Sequence, residues 1–362
     1  MQTPQDIRNL TSLRFFAAMW VVLFHYWPNL SAVMPPVIAK GYLGVELFFT
    51  LSGFILSHVY LDSVETGGFR YFGFLWARLA RVYPLHLATL VGVGAMALGA
   101  EAVGRSVDAN ILSWASLPAN LLMVHAWGLA PAAGWNHPSW SISAEWFAYL
   151  SFPLFAWTAL KLKHRPWLGV AAAVGAMAAL YAAFQHLTGE SLTHATIAWG
   201  ALRIVPCFAL GCAVNLLWRS NAVRGRSLSG LGALFSGAAI LAAAQFSAPD
   251  TVLVALFGAF ILCLASLSSA GLNSGGGRLF VYFGEISYSI YMICIPWKLL
   301  FVNVVSTIFH FDKAHLPLGV WIVFLVSVIP LAALSYHLIE KPARGWMRRW
   351  RVDAPATATS VA

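Results

Sequence analysis

Apolar residues occur along this chain in long runs, without the alternating or every-third-residue pattern of a water-facing protein. Most runs reach the about 20 residues that a helix needs to cross a bilayer. The shorter apolar stretch 110–128 is broken by Pro118 and is predicted to be a re-entrant or interfacial segment. In chain order, the predicted transmembrane helices cover residues 9–28, 41–61, 72–99, 139–160, 167–187, 197–218, 228–247, 251–270, 280–304 and 317–340.

Composition leads to the same fold class, an all-α polytopic membrane protein with about ten transmembrane helices. The 362 residues are 60% hydrophobic and only 10% charged, whereas soluble domains carry about 25% charged residues. The four cysteines all lie in apolar runs, without the spacing of a disulfide framework or a metal site. We therefore expect no metal.

The formal net charge of +9 is explained by topology, because most basic residues lie in alternate short loops. Under the positive-inside rule these loops are cytoplasmic, which predicts two cytoplasmic termini and an even number of helices. Nucleic acid is not an expected partner. Residues 1–345 are predicted to form one membrane domain, and 346–362 a basic cytoplasmic tail that is disordered.

Ionisable side chains inside a bilayer are costly, so each one is a candidate functional residue. Counting depth along the predicted helices puts four of them near the outer face and predicts one polar pocket there: His25, Glu46, Glu145 and Arg203. A second group lies near the cytoplasmic face: Arg14, Arg78 and Arg81, with Glu285, His337, Glu340 and Arg344 at helix ends.

Arg14 and His25 belong to one predicted helix and lie eleven residues apart. That separation is about 16 Å and about three turns, so both side chains share a face at opposite leaflets. Guanidinium groups are good phosphate ligands, and a neutral histidine can accept a proton from an attacking hydroxyl. The gap matches a long donor such as an extended phosphopantetheine arm.

Simpler interpretations exist for each of these residues. A histidine such as His25 can be a core residue bonded to a backbone carbonyl, and arginines at helix ends can extend their head groups to the membrane surface. Glu46 and Glu145 can neutralise Arg203 in a structural ion pair. Ser139 can be a helix N-cap, a position that serine favours.

Several motifs, which follow one another along the chain, favour the functional interpretation over these alternatives. They are Arg14–ten residues–His25, GVELFFTLSGFIL at 44–56, the Arg78-x-x-Arg81 pair in RLARVYP, PSWSISAEW at 138–146, RIVPCFALG at 203–211, and the closing SYSIYMI and YHLIEKPAR. Together they resemble the membrane-bound acyltransferase-3 family across essentially the whole chain.

The resemblance implies an O-acyltransferase of the bacterial inner membrane that uses acyl-CoA, with acetyl-CoA as the usual donor. The implied acceptor is a hydroxyl of an extracytoplasmic glycan, lipid-linked or polymeric, of exopolysaccharide or O-antigen type. Membrane lipid and polysaccharide-assembly proteins are candidate partners.

The resemblance also implies roles for the residues that match the family motifs. His25 is the predicted general base, and Glu145 is predicted to orient it or stabilise its charge. Arg14, helped by Arg78 and Arg81, is predicted to bind the donor phosphates. The predicted substrate-binding residues are Glu46, Ser139, Trp140 and Arg203. Cys294 stands where the family often has histidine, so His137 is a candidate substitute.

A transporter or flippase of lipid-linked saccharides is the rival interpretation. It explains many helices and an outer polar pocket equally well. It explains less well why basic residues gather at the cytoplasmic face beneath that pocket. The sequence also lacks the paired broken helices that mark many transporters.

Overall fold

A computed structural model describes residues 7–108, 110–272 and 277–350, and within these ranges it contains helices and no strand. The α-helices, in chain order, are α1 Arg8–Tyr26, α2 Pro36–Ala39, α3 Gly44–Glu65, α4 Tyr71–Ala102, α5 Leu117–Leu121, α6 Trp140–Leu150, α7 Phe152–Leu162, α8 Pro166–Thr188, α9 Gly200–Arg219, α10 Arg226–Gln245, α11 Asp250–Ser269, α12 Arg278–Glu285, α13 Ser287–Phe309, α14 Leu318–Ser335 and α15 Lys341–Arg349.

Eight helical segments of the described chain are long and apolar enough to cross a membrane. The predicted all-α polytopic membrane fold is therefore confirmed. Two predicted spans are not among the eight: 9–28 corresponds to α1, whose first two turns are polar, and 139–160 divides into α6 and α7. The division occurs at Ser151, two residues before Pro153, because proline has no N–H to continue the helical bonding. The total of ten and the side of each terminus stay predictions.

Helix α1 lies between two packed groups of helices. Leu13 and Val21 belong to a large apolar core formed mainly with α3, α4, α6, α9 and α11. Ala18 and Val22 belong to a smaller core formed with α13 and α14. A helix packed on both sides holds its remaining faces in fixed directions, and those faces carry Arg14 and His25.

The closest helix crossing in the large core joins α3 and α9. A Cβ on Gly53 would stand 2.1 Å from the Phe208 carbonyl oxygen, and one on Gly211 would stand 2.0 Å from that of Thr50. Only glycine permits this approach, as at other close helix crossings in membranes. The crossing fixes α3, which forms one wall of the cavity described below.

The C-terminal segment departs from the predicted disordered tail 346–362. Residues 346–349 continue α15, and the Trp76 indole donates to the Met347 carbonyl at 2.9 Å. This contact with α4 supplies the packing that composition alone did not predict. Residues 351–362 lie outside the described residues.

Candidate active site

A cavity of about 110 Å³, here called the arginine cavity, lies between α1, α3, α4, α6 and α13. Its polar lining residues are Arg14, Ser52, Arg78, Arg81, Ser141, Glu145, Tyr149, Tyr288 and Tyr291. The three arginines that were predicted to act together are therefore neighbours in space.

The arginines of this cavity have carboxylates within electrostatic range, Glu145 and Glu340 for Arg14, but form no direct ion pair among the described residues. Arg78 and Arg81 lie three residues apart on α4 and so share a face with each other, opposite Arg14 of α1. None of the three forms an ion pair with a described carboxylate. The Arg78 Nε atom is buried without a hydrogen-bond partner, and its guanidinium lies 5.8 Å from the centre of the Tyr60 ring. The arrangement is typical of a site for an anion.

Glu145 lies in the arginine cavity, and this location corrects the prediction of an outer pocket shared with His25. Its Oε1 accepts a hydrogen bond from Ser52 Oγ at 2.8 Å. The depth was misjudged because α6 begins inside the protein: Asn136 and Ser139 before it are each only 1% exposed. The sequence analysis thus placed Glu145 too close to the outer face.

More charged residues lie beside the part of α4 that carries Arg78 and Arg81. Glu340 is buried, accepts a hydrogen bond from Ser289 at 2.9 Å, and lies 3.9 Å from Arg344. Arg348 of α15 lies within electrostatic range of Arg78 and Arg81, and Arg344 lies within range of Glu340 and Arg348. Five guanidinium groups therefore face two carboxylates, Glu145 and Glu340, and positive charge is in excess.

The cavity extends towards His25. Its lining on α3 runs from Leu56 to Val45, which is about 16 Å of helix. At that far end Gly44 approaches α1 so closely that a Cβ would stand 2.7 Å from Val21. Val21 precedes His25 by about one turn. The cavity thus reaches, on α3, the turn that packs against Val21, while Arg14 is its lining residue on α1.

His25 is half-buried at the end of α1 and, unlike Glu145, does not line the arginine cavity. Lys298 of α13 donates a hydrogen bond to the His25 carbonyl at 2.6 Å. His137 and Lys298 are the charged or ionisable side chains within electrostatic range of the His25 ring. His137 is exposed. The histidine considered as a substitute for the missing family histidine therefore lies on the same side of the molecule as His25.

Hydrogen bonds join the turn before α6 to α13. The Pro138 carbonyl accepts hydrogen bonds from Tyr291 at 3.0 Å and Ser141 at 3.2 Å. The Asn136 amide donates to the Met292 carbonyl at 3.0 Å. That carbonyl lacks its helical donor because Pro296 follows four residues later.

Ser139 does not line the arginine cavity. Its Oγ lies 3.1 Å from Nε2 of His125, which is fully buried. Burial lowers the pKa of His125 to about 3, so this contact is a hydrogen bond between neutral groups at physiological pH. Cys294 is also buried and donates its Sγ–H to the Tyr291 carbonyl at 3.1 Å.

Glu46, Arg203 and Trp140 form a separate cluster. Arg203 Nε donates to Glu46 Oε1 at 2.5 Å and Nη1 donates to the Ala195 carbonyl at 2.9 Å. The guanidinium lies 4.5 Å from the centre of the Trp140 ring. Glu46 and Arg203 are 0% and 2% exposed. The structure thus pairs these predicted substrate-binding residues with one another.

Sequence reasoning missed several residues of the site. Ser52, Tyr149 and Tyr288 line the cavity, but ordinary polar residues in apolar helices give no specific signal. The sequence likewise gives no specific signal for Lys298, which binds the His25 carbonyl. In the described ranges, no group of three or more His, Cys, Asp or Glu side chains could hold a metal ion.

With this geometry in place, comparison with known proteins decides the family. Residues 7–337 match the family model of the acyltransferase-3 proteins, described as an acyltransferase domain. The chain belongs to this family. The match covers both the arginine cavity and His25. No solved structure matches the chain.

Two named relatives share much of the sequence. Acyltransferase MdmB of Streptomyces mycarofaciens is 31% identical over 330 residues, covering 80% of this chain and 79% of MdmB. O-acetyltransferase OatA of Staphylococcus aureus is 25% identical over 372 aligned positions, covering 95% of this chain. The chain spans only 58% of the length of OatA.

Proposed function

We propose that this acyltransferase moves an acyl group, normally acetyl, from cytoplasmic acetyl-CoA to a hydroxyl of a glycan outside the bacterial inner membrane. The acceptor is a lipid-linked or polymeric glycan of exopolysaccharide or O-antigen type. The observation that carries the proposal is the set of unpaired arginines in a cavity that extends towards His25. The names of the relatives, acyltransferase and O-acetyltransferase, support the O-acetyl assignment.

In this proposal the arginine cavity binds the donor. Arg14, Arg78 and Arg81 hold phosphate groups of acetyl-CoA, because guanidinium groups bind phosphate through charge-assisted hydrogen bonds. Arg344 and Arg348 add positive charge at the α15 side. The pantetheine arm lies along α3, where Ser52 and Glu145 offer polar contacts and the remaining lining is largely apolar.

Transfer occurs at the other end of the arm. The His25 imidazole takes the proton of the acceptor hydroxyl, and the hydroxyl oxygen attacks the thioester carbonyl carbon. The carbon–sulfur bond breaks, the sulfur of coenzyme A takes up a proton, and an ester remains on the acceptor. Lys298, bound to the His25 carbonyl at 2.6 Å, holds the end of α1 in place. His137 assists from the exposed side.

Coenzyme A binding tests the donor site directly. Purified protein in lipid nanodiscs is titrated with coenzyme A, comparing wild type, the double variant Arg78→Ala/Arg81→Ala and the control Arg224→Ala. Arg224 is exposed, does not line the arginine cavity and donates to the Asn221 carbonyl. Loss of two charge-assisted bonds weakens binding by at least ~10-fold in the double variant, while the control binds like wild type. Equal affinity in all three proteins would contradict the proposal.

The same preparation separates the enzyme from a flippase. An acyltransferase releases free coenzyme A thiol when a suitable acceptor is present, and a flippase releases none. Thiol release that depends on His25 supports transfer, whereas movement of a lipid-linked saccharide without thiol release would contradict it.

A further inference from the structure

A second concave surface, the α4/α13 groove, lies between α4, α13 and α14. Its inner part is apolar apart from Thr89 and Ser335. The hydroxyl of Thr89 already donates to the backbone of its own helix. The apolar lining includes Leu85, Val93, Met96, Ile293, Trp297 and Leu331. This part of the groove suits a hydrocarbon chain.

The groove continues to a charged end. Val93, Met96 and Leu300 line both the apolar part and the adjoining hollow, so the two are continuous. The charged end carries Arg105 and Lys313, both exposed.

One carboxylate, Asp108, also lies at this end, where it accepts a hydrogen bond from the Asn110 backbone N–H at 2.9 Å. Lys313 donates to the Asn303 amide oxygen at 2.8 Å. Two cations against one carboxylate leave positive charge beside a hydrocarbon-lined groove. That combination matches an amphiphile with an anionic head.

The apolar part of the groove is long enough for one hydrocarbon chain. From Leu85 to Met96 on α4 it covers about 16 Å, close to the about 15 Å thickness of one leaflet of the hydrocarbon core. A chain that enters at the charged end can therefore lie along the whole apolar part. At Gly92, in the groove wall, an added Cβ would meet nothing within 4 Å, so the space there is open.

A hydrogen bond connects the charged end of the groove to the segment that follows His25. The Asn29 amide donates to the Lys313 carbonyl at 2.7 Å. Trp297 lines the groove, and its neighbour Lys298 binds the His25 carbonyl. A head group held by Arg105 and Lys313 would lie at the same end of the molecule as His25.

We propose that the α4/α13 groove binds the acceptor as a lipid-linked saccharide, with one long isoprenoid chain in the apolar part and its phosphate at Arg105 and Lys313. This inference rests on the proposed function and narrows its acceptor from any glycan to a lipid phosphate. The groove is the site of the lipid, and the saccharide is presented to His25.

Native mass spectrometry of the purified full chain tests the groove without requiring activity. The probes are a long-chain polyprenyl phosphate, the same polyprenol without phosphate, and phosphatidylglycerol. Wild type retains the polyprenyl phosphate most strongly. Gly92→Leu puts a side chain into the groove and lowers retention. The control Gly99→Leu, also on α4 and with open space around its Cβ, does not.

The double variant Arg105→Glu/Lys313→Glu provides a second test at exposed positions that tolerate substitution. Its retention of polyprenyl phosphate falls by at least ~10-fold, as expected for contacts between charged groups. Its weak retention of polyprenol is unchanged. Equal retention of phosphatidylglycerol and polyprenyl phosphate by wild type would show an ordinary lipid contact and overturn the proposal. Unchanged retention in both groove variants would also overturn it.

Failure of this inference is distinct from failure of the proposed function. If the groove variants retain lipid like wild type while His25-dependent thiol release persists, only the groove proposal falls. If polyprenyl phosphate binds with the expected variant pattern and no thiol is ever released, the groove stands and the transferase proposal falls.

Discussion

Two arginine sites in this protein differ in how their charge is compensated. Arg203 is almost fully buried, and its guanidinium is bound to Glu46, to a backbone carbonyl and to the face of Trp140. Arg14, Arg78 and Arg81 face a cavity and form no ion pair with a described carboxylate. A compensated arginine inside a membrane protein stabilises the fold, whereas uncompensated arginines around an open space mark a ligand site.

The largest expected difference between the two sites is in stability. Arg203→Ala leaves the Glu46 carboxylate buried and unpaired, and we expect the free energy of unfolding to fall by about 3–5 kcal/mol. Arg78→Ala relieves repulsion from Arg81, so its stability stays equal to wild type or rises. Thermal unfolding of the purified variants, followed by tryptophan fluorescence, measures both.

A control for this first prediction removes both members of the buried pair. Glu46→Gln/Arg203→Met replaces the charges with side chains of similar size, and such replacements are often neutral. Recovery of stability together with activity assigns the pair to the fold. Recovery of stability without activity would return Glu46 and Arg203 to the substrate-binding role that the sequence suggested.

A smaller effect is expected on the KM for the acyl donor when Arg81 is replaced. Arg81→Ala removes one charge-assisted contact of about 1.5–3 kcal/mol, which raises KM for acetyl-CoA by roughly 10- to 100-fold. Because the contact lies far from the reacting atoms, kcat changes little. Arg81→Lys keeps the charge but loses the planar guanidinium group. Its KM for acetyl-CoA should therefore lie between those of wild type and Arg81→Ala. Thiol release at varied acetyl-CoA concentration gives both constants, and a fall in kcat at unchanged KM would contradict the donor-site assignment.

The smallest effect on KM for acetyl-CoA is expected from the replacement of Ser52. Ser52→Ala removes the hydrogen bond to Glu145, a contact of about 0.5–1.5 kcal/mol, and leaves the charges of the cavity in place. KM for acetyl-CoA should change by less than about 10-fold. Ser63→Ala, also on α3 and outside the cavity, is the matched control because its hydroxyl donates to the carbonyl of Tyr60 in the same helix. A larger effect at Ser63 than at Ser52 would contradict the assigned geometry.

Some features of the fold could be predicted because they depend on local composition. Apolar runs predicted helical segments, and each has a helix or pair of helices at the corresponding place. The break at Ser151 follows from Pro153, yet the apolar run continues across it and conceals it. The contact of Trp76 with Met347 joins residues 271 apart, and no local pattern contains such information.

The candidate site could be predicted only in part for a similar reason. The spacing of Arg78 and Arg81 sets their shared face, because helix geometry carries a local spacing directly into space. Glu145 was placed too high since depth was counted from an outer surface, whereas the turn at Ser139 is buried in the protein. The pairing of Glu46 with Arg203 depends on how α3 crosses α9, and therefore on tertiary packing.

The central claim is that donor binding and proton transfer occupy opposite ends of one site. It is tested most directly by measuring coenzyme A affinity and acyl transfer together in His25→Ala. Transfer is read as acetylation of surface polysaccharide by proton NMR, in a deletion strain carrying wild type or the variant at equal membrane levels. We predict unchanged coenzyme A affinity with transfer reduced at least ~100-fold, as for loss of a general base. Full acetylation by His25→Ala, or loss of coenzyme A binding in that variant, would contradict the account.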